Sequence, residues 1–536
     1  MLYAVIFISG GAILALELLA SRIMTPYFGV SLYIWTGILS ITLVSLALGY
    51  WAGGKLAARA ANGARAAARL TQLYALMPAI AAIAIVGACL AYPFVYAPLA
   101  YWSLVLGAFA ASLLLLFVPL VVASAMNPLL VAILLQSEKS GRSADAGAGQ
   151  VFFVSTIGSV AGVFATAFGL IPYVTNFAAL LIVASMLALL SLAVALLASP
   201  ALPRRSAVVT MGAVAFLLAA ALLWKADSYT GRQGPFAYGG LRWRVEASHG
   251  SLFGTVKVLR SDADAASGRF IRMYFQDGLN QNSVDSNNRS MSFFSYGLEG
   301  LARAYQPQMH GALVLGLGAG MVPMRLAELG APVEVVDIDP VALRVAEQFF
   351  GFDRQKAAAH QADARTFVRA CAGNYDVVVV DLFHGDGTPD HLVTREFFRD
   401  LRHCLAEGGV AVFNTFADLA RPSSYAHFLV TLTAELPYIA LYRAESAGAV
   451  HVNSFVVASA RPLTQPAKVT FDYVPPQHRD TLWNMLSAPV PLTPELFAGG
   501  RIVTDAVNPA AHDFAQTQLI YRKSVVEGLP KEMFLN

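Results

Sequence analysis

Leu313-Val-Leu-Gly316-Leu-Gly318-Ala-Gly320, followed by Glu334-Val-Val-Asp337-Ile-Asp339-Pro340, decides how the second half of this chain folds. An apolar run ends in a glycine turn, a helical stretch follows, and a second apolar run ends in acids about 20 residues further on, the spacing of a βαβ nucleotide site. Glycines at the turn let the backbone approach a ligand closely. A carboxylate at the second strand end can accept hydrogen bonds from ribose hydroxyls.

Working outward, strand-like and helix-like segments alternate from residue 311 onward. Ala312–Leu315, Val333–Asp337, Tyr375–Asp381 and Val410–Thr415 read as strands, Pro340–Phe350 and Thr394–Leu405 as helices. That order predicts a mostly parallel sheet covered on both faces. Upstream, residues 241–285 alternate apolar and polar and predict short antiparallel strands near Leu252–Leu259 and Phe270–Phe275. The expected boundaries are a small β-rich region at 241–300 and a Rossmann-like α/β domain at 301–536.

The first half is of another kind. The chain is 57% hydrophobic and only 13% charged, with a mean hydropathy of +0.57. A bilayer span needs about 20 apolar residues, and residues 1–225 supply runs near 2–22, 31–54, 72–95, 101–135, 150–171, 175–199 and 206–225. About seven helices are therefore expected, then a polar linker at 226–240. The fourth run carries Pro119 and Pro128, which predicts a kink or re-entrant break, with Asn127-Pro128 lining a cavity. Gly158 and Gly162 sit one helical turn apart and predict close helix packing. Glu17 and Arg22 are charges within or at the end of a span and so functional candidates, although Arg22 also suits an interfacial anchor. The first run lacks a basic leader and a cleavage site, so it reads as a helix rather than a signal peptide.

A net charge of +3 gives no reason to expect nucleic acid as a partner. The three cysteines, Cys89, Cys371 and Cys404, match no metal or disulfide spacing, so neither a metal site nor a bridge is expected.

Four segments of the second half together resemble the spermidine synthase (aminopropyltransferase) family. They are Ser251-Leu-Phe-Gly-Thr-Val-Lys-Val258 with Gln276-Asp277-Gly278; the glycine turn; Val336-Asp337-Ile-Asp339 with Ala362-Asp363-Ala364; and Tyr375–Asp381 with His391–Phe398 and Leu405–Gly409. Thr504-Asp505 is similar to a late motif of that family. Glu17–Arg22, Tyr27–Ser31, Gly53-Gly54-Lys55, Ser155–Gly162 and Leu170-Ile-Pro172 resemble bacterial proteins that join a major-facilitator-like membrane domain to such a domain. The resemblance implies an S-adenosyl substrate and no prosthetic group. Gly316, Gly318 and Gly320 would pass beside the methionine-derived part of the ligand. Asp337 would hold the ribose hydroxyls, and Asp363 with Ala364 the adenine. Gln276 and Asp277 would complete the site, and Asp381 would be the catalytic acid. The residues also admit plainer roles: a helix cap before Pro340 for Asp337, although Asp339 suits that role better, a loop acid for Asp363 and a strand-end cap for Asp381.

The departures from the family bear on the reaction. Ala319 stands where the family's turn has an aspartate, and Asp381-Leu-Phe-His384 replaces a run with further acids. Phe293-Phe-Ser-Tyr296-Gly-Leu-Glu299 replaces a tyrosine–histidine–glutamate run, and Gly254 replaces a glutamine. His384, His391 and Glu299 remain as polar partners that are equally suited to structural roles. A polyamine is a multiple cation that needs several carboxylates in a desolvated cleft. Their loss, and the absence of a charge that would repel a ligand carboxylate, admit intact S-adenosylmethionine as well as its decarboxylated form.

The expected function is cleavage of that ligand at the carbon next to sulfur, releasing methylthioadenosine. The route is transfer of an aminopropyl or amino-carboxypropyl group to an unknown acceptor, or intramolecular cyclisation or elimination. A true polyamine aminopropyltransferase and a transporter or sensor that only binds the nucleotide are the alternatives; methyl transfer fits the motifs less well. With one set of helices where a major-facilitator transporter has two, a comparable pathway would need a homo-oligomer.

Lys55, Arg59, Arg65 and Arg69 crowd one short loop, which should be cytoplasmic. Counting spans from there puts the second half outside, whereas the supply of a cytosolic metabolite argues for the inside. The expectation on metabolite grounds is an integral protein of a bacterial inner membrane with its catalytic domain in the cytoplasm.

Overall fold

The computed structural model describes residues 1–29, 32–63, 65–137, 144–198, 202–231, 234–371, 373–383, 388–418, 422–444, 451–509, 521–523 and 525–535. Ser31 and His384, both named above, lie outside them. The chain forms two compact units, Met1–Gly240 with Val525–Asn536, and Leu241–Ser524. Residues 525–536, read from sequence as the end of the α/β domain, thus group with the helices.

Among the described residues of the first unit, seven helices are long and apolar enough to cross a membrane: Leu2–Phe28, Ile34–Ala60, Ala66–Trp102, Leu104–Gln136, Gly147–Leu170, Asn176–Leu197 and Arg205–Trp224. Of the kink or re-entrant break expected in the fourth, no re-entrant loop is found among its described residues. Leu113–Phe117 form a π-helical turn, and around Ala125 the ladder continues through Ala125 N–H to Val121 O (3.2 Å) and Leu129 N–H to Ala125 O (3.4 Å). The prolines are absorbed by this local rewinding rather than by a loop. Close packing at the glycines is found: a Cβ on Gly158 would collide with the backbone of Phe7, and one on Gly162 with the backbone of Gly11. Glu17 and Arg22 are half-buried. The expected linker contains a short helix, Ala226–Tyr229, and a strand β1, Phe236–Tyr238.

The second unit opens with four successive antiparallel strands, β2 (Leu241–Ser251), β3 (Gly254–Ser261), β4 (Ile271–Gln276) and β5 (Leu279–Asp285). Then come β6 (Ala312–Leu315), β7 (Val333–Asp337), β8 (Ala357–Gln361), β9 (Tyr375–Val380), β10 (Leu405–Asp418), β11 (Tyr438–Arg443) and β12 (His451–Ser459). They form a seven-stranded sheet in the order β11-β12-β10-β9-β6-β7-β8. Strands β10, β9, β6, β7 and β8 run parallel to one another, while β12 pairs antiparallel with both β10 and β11.

Alternation along the central strands feeds two cores. Val314, Val335, Val377 and Val379 pack on one face, and Leu313, Leu315, Val378 and Val380 on the other. These valine-rich strands are buried on both sides, which is why they read as continuous apolar runs. The strand order reverses at β6, between β7 and β9, and such a switch point opens a crevice beyond the carboxyl ends of the strands.

One expectation about cysteine is corrected. Cys371 and Cys404 form a disulfide with a Cα–Cα distance of 4.9 Å. The pair is 33 residues apart in sequence, and the fold brings the end of the helical turn Ala364–Arg369 against the end of the helix Arg395–Cys404. Spacing alone carries no trace of that approach.

Candidate functional site

A cavity of about 760 Å³ opens at the switch point. Its floor is the glycine turn. Gly316 has φ +96°, and a Cβ there would collide with the Asp381 carbonyl oxygen, so β6 can lie this close to the end of β9 only with glycine. Gly316, Gly318 and Ala319 line the cavity. Gly320 does not; it is the left-handed residue that starts the helix Met321–Glu328, and a Cβ on it would press on Phe352.

The acids converge as the strand order predicts. Asp337 at the end of β7 accepts from Leu317 N–H through Oδ2 (2.9 Å) and from Asp339 N–H through Oδ1 (2.8 Å). Its carboxylate therefore shapes the glycine turn as well as facing the cavity. Burial pushes its carboxyl above the usual range, against the pull of those N–H groups. Asp339 is the cap of the next helix, accepting from Val341 N–H at 2.9 Å. Asp363 also lines the cavity, beside Ala364. It caps its own helix, one oxygen accepting from both N–H and Oγ1–H of Thr366 at 2.8 Å.

Asp381 stands just past the end of β9, half-buried, with Oδ1 accepting from Asn414 Nδ2 at 2.8 Å. Desolvation is the larger influence on it and the Asn414 hydrogen bond the smaller, leaving its carboxyl pushed up to about 6. A carboxyl with that value releases and takes up protons near neutrality, as a general base must.

Gln276 lines the cavity, but Asp277 does not. Asp277 has φ +48° and accepts from Thr255 N–H at 2.9 Å, so its carboxylate ties the β4–β5 turn to β3. Gly254, where the family has a glutamine, leaves the room that Asp277 occupies. Glu299 lies outside the cavity lining and is fully buried; it pairs with Arg303 (3.2 Å) and Arg325 (3.7 Å) and accepts from Tyr473. His391 does line the cavity.

Two features escaped the sequence reading. Asn414 lies inside β10, one residue past the stretch paired with β9, and is level with Asp381 only through that pairing, so the strand-end rule that singled out Asp381 does not reach it. The remainder of the lining holds neutral amides such as Asn280, Gln281, Asn282 and Asn453, with Phe253, Phe293, Phe294 and Phe383 among the aromatics. Among the described residues, the four acids of the lining, Asp337, Asp339, Asp363 and Asp381, are at strand ends or helix caps.

Residues 295–429 match the spermine/spermidine synthase domain. The matched stretch begins in the helix Phe293–Tyr305, takes in β6 to β10 and holds Asp337, Asp363, Asp381 and Asn414. The chain is 37% identical over 119 residues to a polyamine aminopropyltransferase of Vibrio vulnificus, which is 21% of this chain and 40% of that protein. It is 33% identical over 141 residues to an N-terminal histidine N-methyltransferase of Emericella nidulans, covering 25% of each. Among solved structures, a probable spermidine synthase from Corynebacterium glutamicum is 18% identical with a TM-score of 0.39, covering 49% of this chain and 97% of that one. The chain spans less than half the length of these curated relatives. Over residues 295–429 it is similar to the spermine/spermidine synthase domain, and it shares sequence with an aminopropyltransferase and with a methyltransferase.

Proposed function

We propose that the α/β unit binds an S-adenosyl ligand and cleaves it at the carbon next to sulfur, as an alkyl transferase of the aminopropyl type. The observation that carries this reading is the Asp381 carboxylate, which opens into the same cavity as the glycine turn, Asp337 and Asp363. Adenosine held by the turn, Asp337 and Asp363 leaves the sulfonium facing Asp381. The carboxylate steadies the positive charge in a partly desolvated cleft, where it acts more strongly than in water.

For an amine acceptor, the nitrogen lone pair forms the new N–C bond while the C–S bond breaks. The bonding pair returns to sulfur, giving neutral methylthioadenosine, and the surplus proton on nitrogen passes to Asp381. For an intramolecular route, the nucleophile or the proton lost belongs to the ligand itself. Holding the groups in line is the chief contribution of the protein in both cases. The seven apolar helices insert in a bilayer and anchor this domain.

Purified full chain incubated with S-adenosylmethionine or its decarboxylated form, with and without putrescine, is expected to release methylthioadenosine. Formation of S-adenosylhomocysteine instead would show methyl transfer and overturn the proposal; binding without any product would leave a nucleotide sensor.

Ligand binding has its own expectation. Asp337→Ala should weaken binding by about 1–3 kcal/mol, the worth of a charge-assisted hydrogen bond. It should also lower Tm, because Leu317 N–H loses its acceptor. Calorimetric affinity equal to that of the parent would remove Asp337 from the ligand site.

A further inference from the structure

Charge is distributed unevenly between the two ends of the helical unit. Lys55, Arg59, Arg65 and Arg69 lie at or between the ends of Ile34–Ala60 and Ala66–Trp102. Lys139 and Arg142 fall between the fourth and fifth spans, and Arg204 and Arg205 between the sixth and seventh. At the alternate ends, the connections from one span to the next, residues 29–33, Ser103 and 171–175, contain no lysine or arginine, and the segment leaving the seventh span adds Lys225 and Arg232. Short loops rich in lysine and arginine stay in the cytoplasm. Gln136 Nε2 donates to Ala61 O (3.4 Å), and Arg204 N–H donates to Gln72 Oε1 (3.1 Å), so the described ends of the second, third, fourth and seventh spans gather at one end.

The segments that flank the α/β unit in sequence are held at the other end. Tyr229, just after the last span, donates its hydroxyl to Leu90 O (2.7 Å). In the returning tail, Lys531 Nζ lies 4.5 Å over the Phe94 ring and Phe534 stacks on Tyr27 at 5.1 Å. Leu90 and Phe94 belong to Ala66–Trp102, the helix that starts in the basic loop. At about 1.5 Å per residue they lie roughly 32 and 38 Å along it from Arg69, more than the roughly 30 Å hydrocarbon core. Among the described residues of 241–524, no helix is long and apolar enough to recross.

A chemical observation agrees independently. Cys371 and Cys404 of this unit are joined, and such bridges persist in oxidising compartments while cytosolic thiols are kept reduced.

Resting on the reading that the helices are embedded, we propose that the α/β unit works on the non-cytoplasmic face of the membrane. This reverses the expectation drawn from metabolite supply. It also gives the site a place in a reaction sequence. A sulfonium nucleoside is a charged solute that does not diffuse through a bilayer, so a transport step must deliver it to that face, and the thioether product is released there.

The test uses the full chain in intact bacterial cells, with Asn62→Cys in the basic loop and Gln355→Cys on the α/β unit, both exposed positions. The buried Cys89 and the bridged pair leave the introduced thiol as the reactive one. A maleimide that does not cross the inner membrane should label Gln355→Cys in intact cells and Asn62→Cys only after lysis. Retention in the membrane pellet after alkaline carbonate is read first. Release there would overturn the membrane reading itself. If the protein is retained, Gln355→Cys that labels only after lysis, or Asn62→Cys that labels in intact cells, would overturn the sidedness alone. Blocking thiols without reductant should leave Cys371 and Cys404 unmodified in the retained protein; modification of both would also overturn it.

Discussion

Asp381→Asn should reduce turnover at least about a hundredfold while changing ligand affinity far less, the pattern of a lost general base or electrostatic partner. Asparagine is nearly the same shape and keeps an oxygen facing Asn414 Nδ2, now 2.8 Å from the aspartate. What it removes is the charge. In the parent, turnover should rise as pH climbs through about 6, where the buried carboxyl loses its proton, and level off above it. The variant should lack that limb. The sign for stability is opposite. Because folded Asp381 holds its proton more tightly than the unfolded chain does, its contribution to stability falls from the usual carboxylate range up to about 6 and is constant beyond. Single-turnover rates equal in parent and variant would take Asp381 out of the chemistry.

Ala319→Asp should reverse the donor preference. Ala319 is buried and lines the cavity in the middle of the glycine turn; with no charge there to repel a ligand carboxylate, intact S-adenosylmethionine should bind the parent at least as well as its decarboxylated form. An aspartate there sets a carboxylate against the ligand's own. At about 4 Å the repulsion is about 1–4 kcal/mol depending on solvent access, which is from several-fold to nearly a thousandfold in relative affinity. Calorimetry with both ligands on parent and variant measures the change directly. A parent that uses only the decarboxylated donor, and only in the presence of a polyamine, would show that the missing acids had been misread. Among the described lining residues, the neutral amides and aromatics offer a polyamine no counter-charge beyond the four carboxylates at strand ends and helix caps.

Much of this architecture is legible one segment at a time. Ala312–Leu315 and Val333–Asp337 form as read, because an apolar run cut by a glycine turn has few other ways to bury itself. Asp381 falls at a strand end beside the glycine turn because parallel strands align their carboxyl ends on one edge of the sheet. The seven apolar runs became seven long helices for an equally local reason: length and hydropathy are properties of a single segment.

Other features depended on which segments meet. Asn414 reaches Asp381 from 33 residues away because β10 pairs beside β9. Asp277 turns from the cavity to Thr255 because β3 and β4 are neighbours and Gly254 leaves the space. Glu299, read as a polar partner for a substrate, is taken up by arginines on its own helix and the next.

By itself, then, the sequence determined the run of seven apolar helices, the βαβ turn and the acids at the strand ends, since hydrophobic period, glycine and strand-end position act within a few residues. Only the tertiary structure decided the Cys371–Cys404 bridge, the Asn414–Asp381 pair and the anchoring of Tyr229 and Phe534 at one end of the helices. These are contacts between segments distant in the chain, chosen by strand order and helix packing, and no spacing within one segment encodes them.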